Sequence, residues 1–264
     1  MSSIPDEHTP EFEGVPRVLA RTVHLLRCFT YADDTLSVRE LVQRSGLPRS
    51  TVHRITGDLV HLGLLTRTAS GRYAMGTLVW ELGQFSHISV RLRLAAQDHL
   101  TRLYEACGEN VFIAVMTTTI PETAQVMFVG HVRGPRSVPV LAHEGGRFPL
   151  HTTASGRALV SAQSPDWIER YLARIFDGET KRSTVGQARL RATIAAARSR
   201  GYATQLGEVD AGAAGISAPI PSGLDTPTAV VTIAASSEHW DERRYASMLR
   251  VTAHAIAKDM HEGL

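Results

Sequence analysis

Residues 46–76 decide the fold of the N-terminal part of this chain. They include Gly46-Leu47-Pro48-Arg49-Ser50-Thr51-Val52-His53-Arg54-Ile55, Leu59-Val60-His61-Leu62-Gly63-Leu64-Leu65 and Gly71-Arg72-Tyr73-Ala74-Met75-Gly76. A proline suits the first position of a helix, apolar residues then recur every three or four positions, and Gly63 ends the run. After Gly63 the spacing of apolar residues becomes that of two short strands around a polar turn. The stretch predicts a helix followed by a β-hairpin.

The predicted helix has one apolar stripe and one polar, basic face. We expect the stripe to be buried, and it consists of Val52, Ile55, Leu59 and Leu62. The opposite face carries, near the N-terminus, Arg49, Ser50, Thr51, His53 and Arg54. Arginine can pair with two acceptors on guanine, and serine or threonine can bond to phosphates or bases. We therefore expect these five residues to contact DNA.

A shorter helix precedes this one. Ser37-Val38-Arg39-Glu40 is a capping box, and Gly46 supplies the left-handed residue that ends the short helix. Two helices joined by a tight glycine turn form a helix-turn-helix, whose second helix enters the major groove. Ser37 is a further expected DNA contact. An amphipathic helix with apolar positions from Val15 to Phe29 comes before this motif.

The hairpin has the position of a wing. Arg67 and Arg72 flank its turn, where phosphates or the minor groove would lie, and we expect both to contact DNA. Between residues 37 and 75 six arginines stand against Glu40 and Asp58, a local surplus of +4 (6 − 2) that favours phosphate binding. The alternatives are a solvated basic face, or a three-helix bundle with a hairpin that binds nothing.

The quoted segments closely resemble the IclR family of bacterial transcriptional regulators. Two later segments are similar to signatures of the same family: residues 146–159, and Arg198-Ser199-Arg200-Gly201-Tyr202-Ala203 with the Glu208, Gly212 and Ile216–Pro219 positions that follow. The resemblance spans about residues 14–262. It implies an α+β protein of two domains: a winged helix-turn-helix, and a GAF-like α/β effector domain with an antiparallel sheet. It also implies a homodimer or a dimer of dimers.

The expected organisation is a disordered tail over 1–13, the winged helix-turn-helix over 14–76, a linker helix over 77–90 and the effector-binding domain over 91–264. A helix break is expected near Ser86 to Ser89. Expected strands are Asn110–Thr117, Gln125–Val132, Ser137–Leu141, Tyr202–Leu206, Ile216–Ile220 and Ala229–Ala234. Expected helices are Thr153–Ala162, Trp167–Phe176, Ala188–Arg200 and a closing helix through Tyr245 and Met260. Such a pattern predicts an antiparallel sheet faced by helices.

The resemblance also implies where an effector binds. Its pocket would be lined by Leu150, by the helix start Ala154-Ser155-Gly156 and by the last strands, and helix N-termini favour anions. Members that bind very small acids carry an acidic residue, a cysteine and two serines there. This chain instead carries, in that order, Gln205, Gly215, Thr232 and Ala234. Three of these four changes remove polar or charged groups, and we therefore expect a larger, partly apolar effector such as an aromatic or longer-chain acid.

Composition and motifs exclude several other classes. The chain is 43% hydrophobic and 20% charged, as in globular proteins. No apolar run approaches the roughly 20 residues of a membrane helix, and no secretory signal is recognisable at the N-terminus. Cys28 and Cys107 are too few for a disulfide framework or a zinc site. We expect a cytoplasmic protein with no membrane contact, no metal and no cofactor.

The sequence contains no recognisable catalytic motif, so we expect no catalytic residues. The expected partners are double-stranded operator DNA, a small-molecule effector and further copies of the chain. Two alternatives remain. One is a ligand-binding module whose helix-turn-helix serves protein contacts, and the other is an enzyme that depends on His151 or Ser155. Repression, activation and the direction of the effector response are all left open.

Overall fold

The structure is a computed structural model that describes residues 14–30, 33–85, 87–135, 137–177, 186–208, 212–221 and 229–262. The disordered tail predicted over 1–13 lies outside the described residues. The chain forms two compact units, 1–87 and 88–264. Among the helices described, none is long and apolar enough to cross a membrane.

The first unit is a helical domain with a small antiparallel sheet. Its elements are α1 (Arg17–Leu26), β1 (Thr35–Leu36), α2 (Val38–Ser45), α3 (Arg49–His61), β2 (Leu65–Arg67), β3 (Tyr73–Met75) and α4 (Thr77–Gln84). The strands lie in the order β1-β3-β2. The predicted helix-turn-helix is α2–α3, and the predicted hairpin is β2–β3. Strand β1, which the sequence did not indicate, adds a third strand to the wing.

Local chemistry explains where the helices begin and end. The Ser37–Glu40 capping box is formed at the start of α2, and Gly46 ends that helix with φ +65°. Pro48 is the N-cap residue of α3, so the helix begins at Arg49, one residue later than predicted. Its missing N–H costs nothing there, because the first amides of a helix have no intrahelical acceptor.

One prediction of burial in the first unit is wrong. Leu62 is 59% exposed, because α3 ends at His61 and the chain turns before Leu62 reaches the core. The buried polar residue Thr56 lies on the inner face of α3, where its hydroxyl donates to the carbonyl of Val52. In α1, Leu19 is 55% exposed, because the residues of α1 that pack in the core of this unit lie at the C-terminal end of the helix.

The second unit contains a six-stranded antiparallel sheet in the order β6-β5-β4-β9-β8-β7. Its strands are β4 (Asn110–Met116), β5 (Gln125–Val132), β6 (Arg147–Pro149), β7 (Ala203–Leu206), β8 (Ala213–Pro219) and β9 (Ala229–Ser236). Its helices are α5 (His87–Cys107), α6 (Ala154–Ser161), α7 (Pro165–Asp177), α8 (Gln187–Arg200) and α9 (Glu242–Glu262). This is the predicted antiparallel sheet faced by helices.

The sheet separates two hydrophobic cores. On one face, residues such as Ile113 pack with α5 and α9. On the other, residues such as Phe112 pack with α6, α7 and α8. Neighbouring residues of a strand point to opposite faces, and both faces of β4 are covered, so all seven of its residues are buried. After Asn110 the strand is apolar at every position, as is typical of a strand covered on both faces.

The predicted strand at Ser137–Leu141 is not formed. Instead β6 occupies the sheet edge and pairs with Gln125–Met127 of β5. The side-chain amide of Asn110 donates to the carbonyl of Val138 at 2.8 Å, so a side chain rather than a strand ladder holds this segment. The helix break expected near Ser86 to Ser89 falls after Phe85, and α5 begins at His87.

Candidate nucleic-acid interface and ligand cavity

The N-terminal half of α3 presents an exposed basic face. Arg49, Ser50, His53 and Arg54 are exposed and Thr51 is half-buried, while Val52 and Ile55 point into the core. Arg54 forms an ion pair with Asp58 one turn later, with 3.8 Å between the charged atoms and 61% of the Arg54 side chain exposed. A long, exposed pair of this kind is weak, so the guanidinium can exchange Asp58 for a phosphate or a base.

Two of the predicted DNA contacts, Ser37 and Arg72, take part in an internal hydrogen-bond network. The hydroxyl of Ser37 donates to Glu40 Oε2 at 2.7 Å. Arg72 Nη2 lies 2.9 Å from the same oxygen and donates to the carbonyl of Thr35 at 2.8 Å. The hydrogen bonds from Ser37 and Arg72 lower the pKa of Glu40 to about 2. Ser37 and Arg72 therefore fix the hairpin against the start of α2, and Arg67 is the hairpin arginine left exposed.

The second unit contains a cavity of about 70 Å³ between α6 and the sheet. Its apolar lining is Phe112, Phe128, Val140, Leu141, Ala142, Phe148, Ala154, Ala213, Ala214, Gly215 and Ala234. Its polar lining is Thr153, Ser155, Gln205 and Thr232. None of these side chains carries a formal charge.

The three phenylalanines of the lining stand on neighbouring strands, β4, β5 and β6, and form the aromatic end of the cavity. The rings of Phe112 and Phe128 are 5.1 Å apart, and the edge-to-face pair of Phe128 and Phe148 is 5.8 Å apart. His131 stacks on Phe112 at 4.0 Å and hydrogen-bonds to Asn110 Oδ1 through Nε2 at 3.0 Å. Burial, followed by the charge of Arg133, lowers the pKa of His131 to about 4. A neutral imidazole thus holds the Phe112 ring in place.

The other end is polar and is formed by the start of α6. Thr153 caps the helix, and its hydroxyl oxygen accepts from the amide of Gly156 at 2.9 Å. The amide of Arg157 makes the first intrahelical bond, to the Thr153 carbonyl. The amides of Ala154 and Ser155 precede that bond and remain available to a bound acceptor. The hydroxyl groups of Ser155 and Thr232 hydrogen-bond to each other at 2.9 Å beside them.

The structure brings six of the eight predicted effector residues to this cavity: Ala154, Ser155, Gln205, Gly215, Thr232 and Ala234. Leu150 and Gly156 do not line it. They form a close contact behind it, where a Cβ on Gly156 would lie 2.2 Å from the carbonyl oxygen of Leu150. Glycine is required there because the two backbones touch. Leu150 and Gly156 thus shape the start of α6 rather than the cavity wall.

The prediction missed nine residues of the lining: the three phenylalanines, residues 140–142, Thr153, Ala213 and Ala214. Phe112 was detectable in principle, because its antiparallel partner in β9 is Thr232, a predicted site residue. Paired residues in neighbouring strands share a face of the sheet. Residues 140 and 141 belong to the stretch that was predicted to be a strand, and no local sequence signal directs them to the cavity.

The residues on which an enzyme would depend are not brought together. His151 Nδ1 lies 3.1 Å from the hydroxyl of Tyr171, and His151 does not line the cavity. Burial and the charge of Arg157 lower the pKa of His151. The hydroxyl of Ser155 is bonded to Thr232. Within the described ranges, no cluster of three or more histidine, cysteine, aspartate or glutamate residues has the geometry to hold a metal ion.

Comparison with known proteins gives matches to both units. The family model described as "Bacterial transcriptional regulator IclR C-terminal" matches residues 85–259, and the "IclR helix-turn-helix domain" matches residues 18–69. The chain is 26% identical to the "HTH-type transcriptional regulator KipR" of Bacillus subtilis over 86% of this chain and 89% of that protein. It is also 26% identical to the "Transcriptional repressor IclR" of Escherichia coli, over 72% and 69% of the two chains.

The fold is similar to that of solved structures. One of them is an IclR homologue from Microbacterium hydrocarbonoxydans complexed with 4-hydroxybenzoate. It has a TM-score of 0.80 and 27% identity, and the match covers 93% of this chain and 99% of that one.

Proposed function

Because this chain belongs to the IclR family of bacterial transcriptional regulators, we propose that its cavity binds an aromatic carboxylic acid that controls operator binding. The family identity makes the chain a transcriptional regulator with an N-terminal DNA-binding unit and a C-terminal effector domain. The chemical class of the effector, the residues that contact it and the DNA contacts are our own proposals.

The observation that carries the proposal is the division of the cavity into an aromatic end and a polar end. Phe112, Phe128 and Phe148 offer ring faces and edges at contact distances typical of aromatic pairs. At the polar end, the two free amides at the start of α6 can bond a carboxylate, which helix N-termini favour. The 4-hydroxybenzoate held by the Microbacterium relative supports the same class of ligand.

For DNA recognition we propose direct contacts by Arg49, Ser50, Thr51, His53 and Arg54 of α3 and by Arg67 of the hairpin. Ser37 and Arg72 would act by holding the hairpin in position through Glu40. The supporting observation is the exposed basic face of α3 directly after the glycine turn. Side chains at the start of such a helix reach base edges in the major groove.

The DNA contacts are tested by fluorescence anisotropy with the upstream intergenic DNA of the gene, at several salt concentrations. Arg54→Ala is expected to weaken binding and to lower the slope of log K against log salt by about 1 for each recognition helix. Arg243→Ala, an exposed arginine on α9, is the matched control and should leave the slope unchanged. If Arg54→Ala binds like the wild type, α3 does not read the operator, and the alternative of a protein-binding helix-turn-helix is favoured.

The effector class is tested by calorimetric titration of the full-length protein with benzoate, 4-hydroxybenzoate and pyruvate. We expect the aromatic acids to bind and to change operator affinity, whereas pyruvate binds at least tenfold more weakly. Tight binding of pyruvate without binding of either aromatic acid would contradict the proposal.

We propose that the regulator acts as a homodimer or dimer of dimers, because paired recognition helices read half-sites about one helical turn apart. An effector that binds one arrangement of the subunits more tightly shifts the population toward that arrangement. Repression is the mode we propose, supported by the relatives named as repressors. We also propose a cytoplasmic location, where the chromosome lies, and an absence of catalysis and of any cofactor.

A further inference from the structure

Three buried hydroxyls form a chain that runs from the cavity wall into the sheet. Ser155 Oγ lies 2.9 Å from Thr232 Oγ1. Thr232 donates to Ser217 Oγ at 2.8 Å, and Ser217 donates to the carbonyl oxygen of Val231 at 3.1 Å. All three hydroxyl residues are at most 4% exposed. Ser155 and Thr232 line the cavity, whereas Ser217, fully buried, does not.

The direction of the hydrogen bonds in this hydroxyl chain follows from the number of hydroxyl protons. Each hydroxyl has one proton to donate and two lone pairs that accept. Since Thr232 gives its proton to Ser217, the bond between Ser155 and Thr232 must use the proton of Ser155. Ser155 therefore presents lone pairs to the cavity. This suits a hydrogen-bond donor such as a phenolic hydroxyl and opposes a carboxylate oxygen.

If the direction of the hydrogen bonds in the hydroxyl chain is reversed, Ser155 can donate a hydrogen bond to a ligand in the cavity. If Ser155 donates to a carboxylate, Thr232 can turn to donate to Ser155, and Ser217 can turn to donate to Thr232. The hydrogen bond lost within the chain is then that of Ser217 to the Val231 carbonyl. Backbone strands need not move, because each step is the rotation of a hydroxyl or of one side chain.

We propose that Ser217, although it does not touch the cavity, is a specificity-determining residue for the effector. By accepting the proton of Thr232 it sets the direction of the hydroxyl chain and favours a donor over a carboxylate at Ser155. This inference rests on the proposed role of the cavity as the effector site. It adds a residue behind the cavity that selects between chemical groups of the effector.

Ser217→Ala removes the acceptor that holds Thr232. The Thr232 hydroxyl then finds its acceptor in Ser155, and the proton of Ser155 is released toward the cavity. Benzoate should bind more tightly and phenol more weakly than to the wild type. A neutral hydrogen bond changes affinity by about two- to tenfold. We expect the ratio of benzoate to phenol affinity to rise about fivefold.

The experiment is a calorimetric titration of the full-length protein with benzoate and with phenol. The matched control is Ser161→Ala, which removes another buried hydroxyl of α6 that donates to the Ala158 carbonyl and does not line the cavity. The control should leave the ratio within twofold of the wild type. A general loss of packing would affect both ligands alike, so the ratio separates the proposed role from a structural one.

A second pair of variants tests whether the effect of Ser217 reaches Ser155 through Thr232. In a Thr232→Val background, Ser217→Ala should have no effect on the ratio, because the chain passes through Thr232. If both ligands bind but Ser217→Ala leaves their ratio unchanged, the inference is wrong while the proposed function stands. If neither ligand binds to the wild type, the proposed effector class fails, and the inference fails with it.

Discussion

Replacing Gly215 by valine should fill the polar end of the cavity and weaken binding of an aromatic acid about 30-fold. A Cβ at this position would lie 3.3 Å from Ala154 Cβ and 3.6 Å from Gln205 Oε1, so the side chain enters the space between α6 and β7. Three added carbons occupy about 30–45 Å³, if each takes about the 10–15 Å³ of one water. This is about half of the 70 Å³ cavity.

The affinity change follows from the contact area that the ligand ring loses. An aromatic ring system buries about 150–250 Å², and exclusion from half of the cavity removes about 80 Å² of that area. At about 25 cal/mol per Å² the loss is about 2 kcal/mol, or about 30-fold in Kd. The tight contact with Ala154 should also cost about 1–3 kcal/mol of stability, as overpacked cores do.

The assay is calorimetric titration of Gly215→Val with 4-hydroxybenzoate, accompanied by operator binding without effector. Gly212→Val is the matched control, because a Cβ at Gly212 would meet nothing within 4 Å. We expect operator affinity without effector to stay within twofold of the wild type in both variants. Binding of 4-hydroxybenzoate to Gly215→Val at wild-type strength would refute the assignment of this cavity as the effector site.

Three further predictions concern the hairpin and two titrating groups. Arg67→Ala should lower DNA affinity and its salt dependence without changing the melting temperature. Arg72→Ala should lower the melting temperature, because Arg72 bonds to Glu40 and Thr35. Equal melting temperatures in the two variants would show that the hairpin does not depend on this network. The pKa of Glu40 is lowered to about 2, so its contribution to stability is complete above about pH 4.5 and is lost as the pH falls toward 2. Thermal unfolding at a series of pH values should show that loss in the wild type and not in Glu40→Gln. The pKa of His131 is lowered to about 4; the unfolded chain therefore binds the proton first, and stability should fall between about pH 6.5 and pH 4. An NMR titration that finds the His131 imidazole protonated at pH 6 would contradict the stacked, neutral state.

Signals within a few residues predicted much of the fold. The capping box at Ser37 and the glycines that end α2 and α8 act through backbone geometry, which depends little on distant residues. These helices were predicted to within about one residue. The edge strand β6 was missed because its three residues gain strand geometry from pairing with Gln125–Met127 of β5, which are distant in sequence, and not from their own preference.

The cavity was predicted from the family resemblance, and only on the side formed by α6 and the last strands. Gln205, Thr232 and Ser155 are buried polar residues, a class that is mostly exposed in proteins. Phe112 lies in a strand that is apolar on both faces, and no alternation shows which residues face the ligand. The register of β4 against β5 also shifts between Ile113 and Ala114. Counting residues along the two strands therefore does not identify the partner of Phe128 in β4.

The separation of the second unit into two cores has an evolutionary consequence. Substitutions that reshape the cavity fall on the face that packs with α6, α7 and α8, while the face that packs with α5 and α9 keeps its own buried side chains. Stability lost while one face adapts to a new effector can be tolerated because the other face is unaffected. A lineage can therefore change what the domain detects through substitutions on a single side of the sheet, and keep the opposite side nearly constant as its reserve of stability.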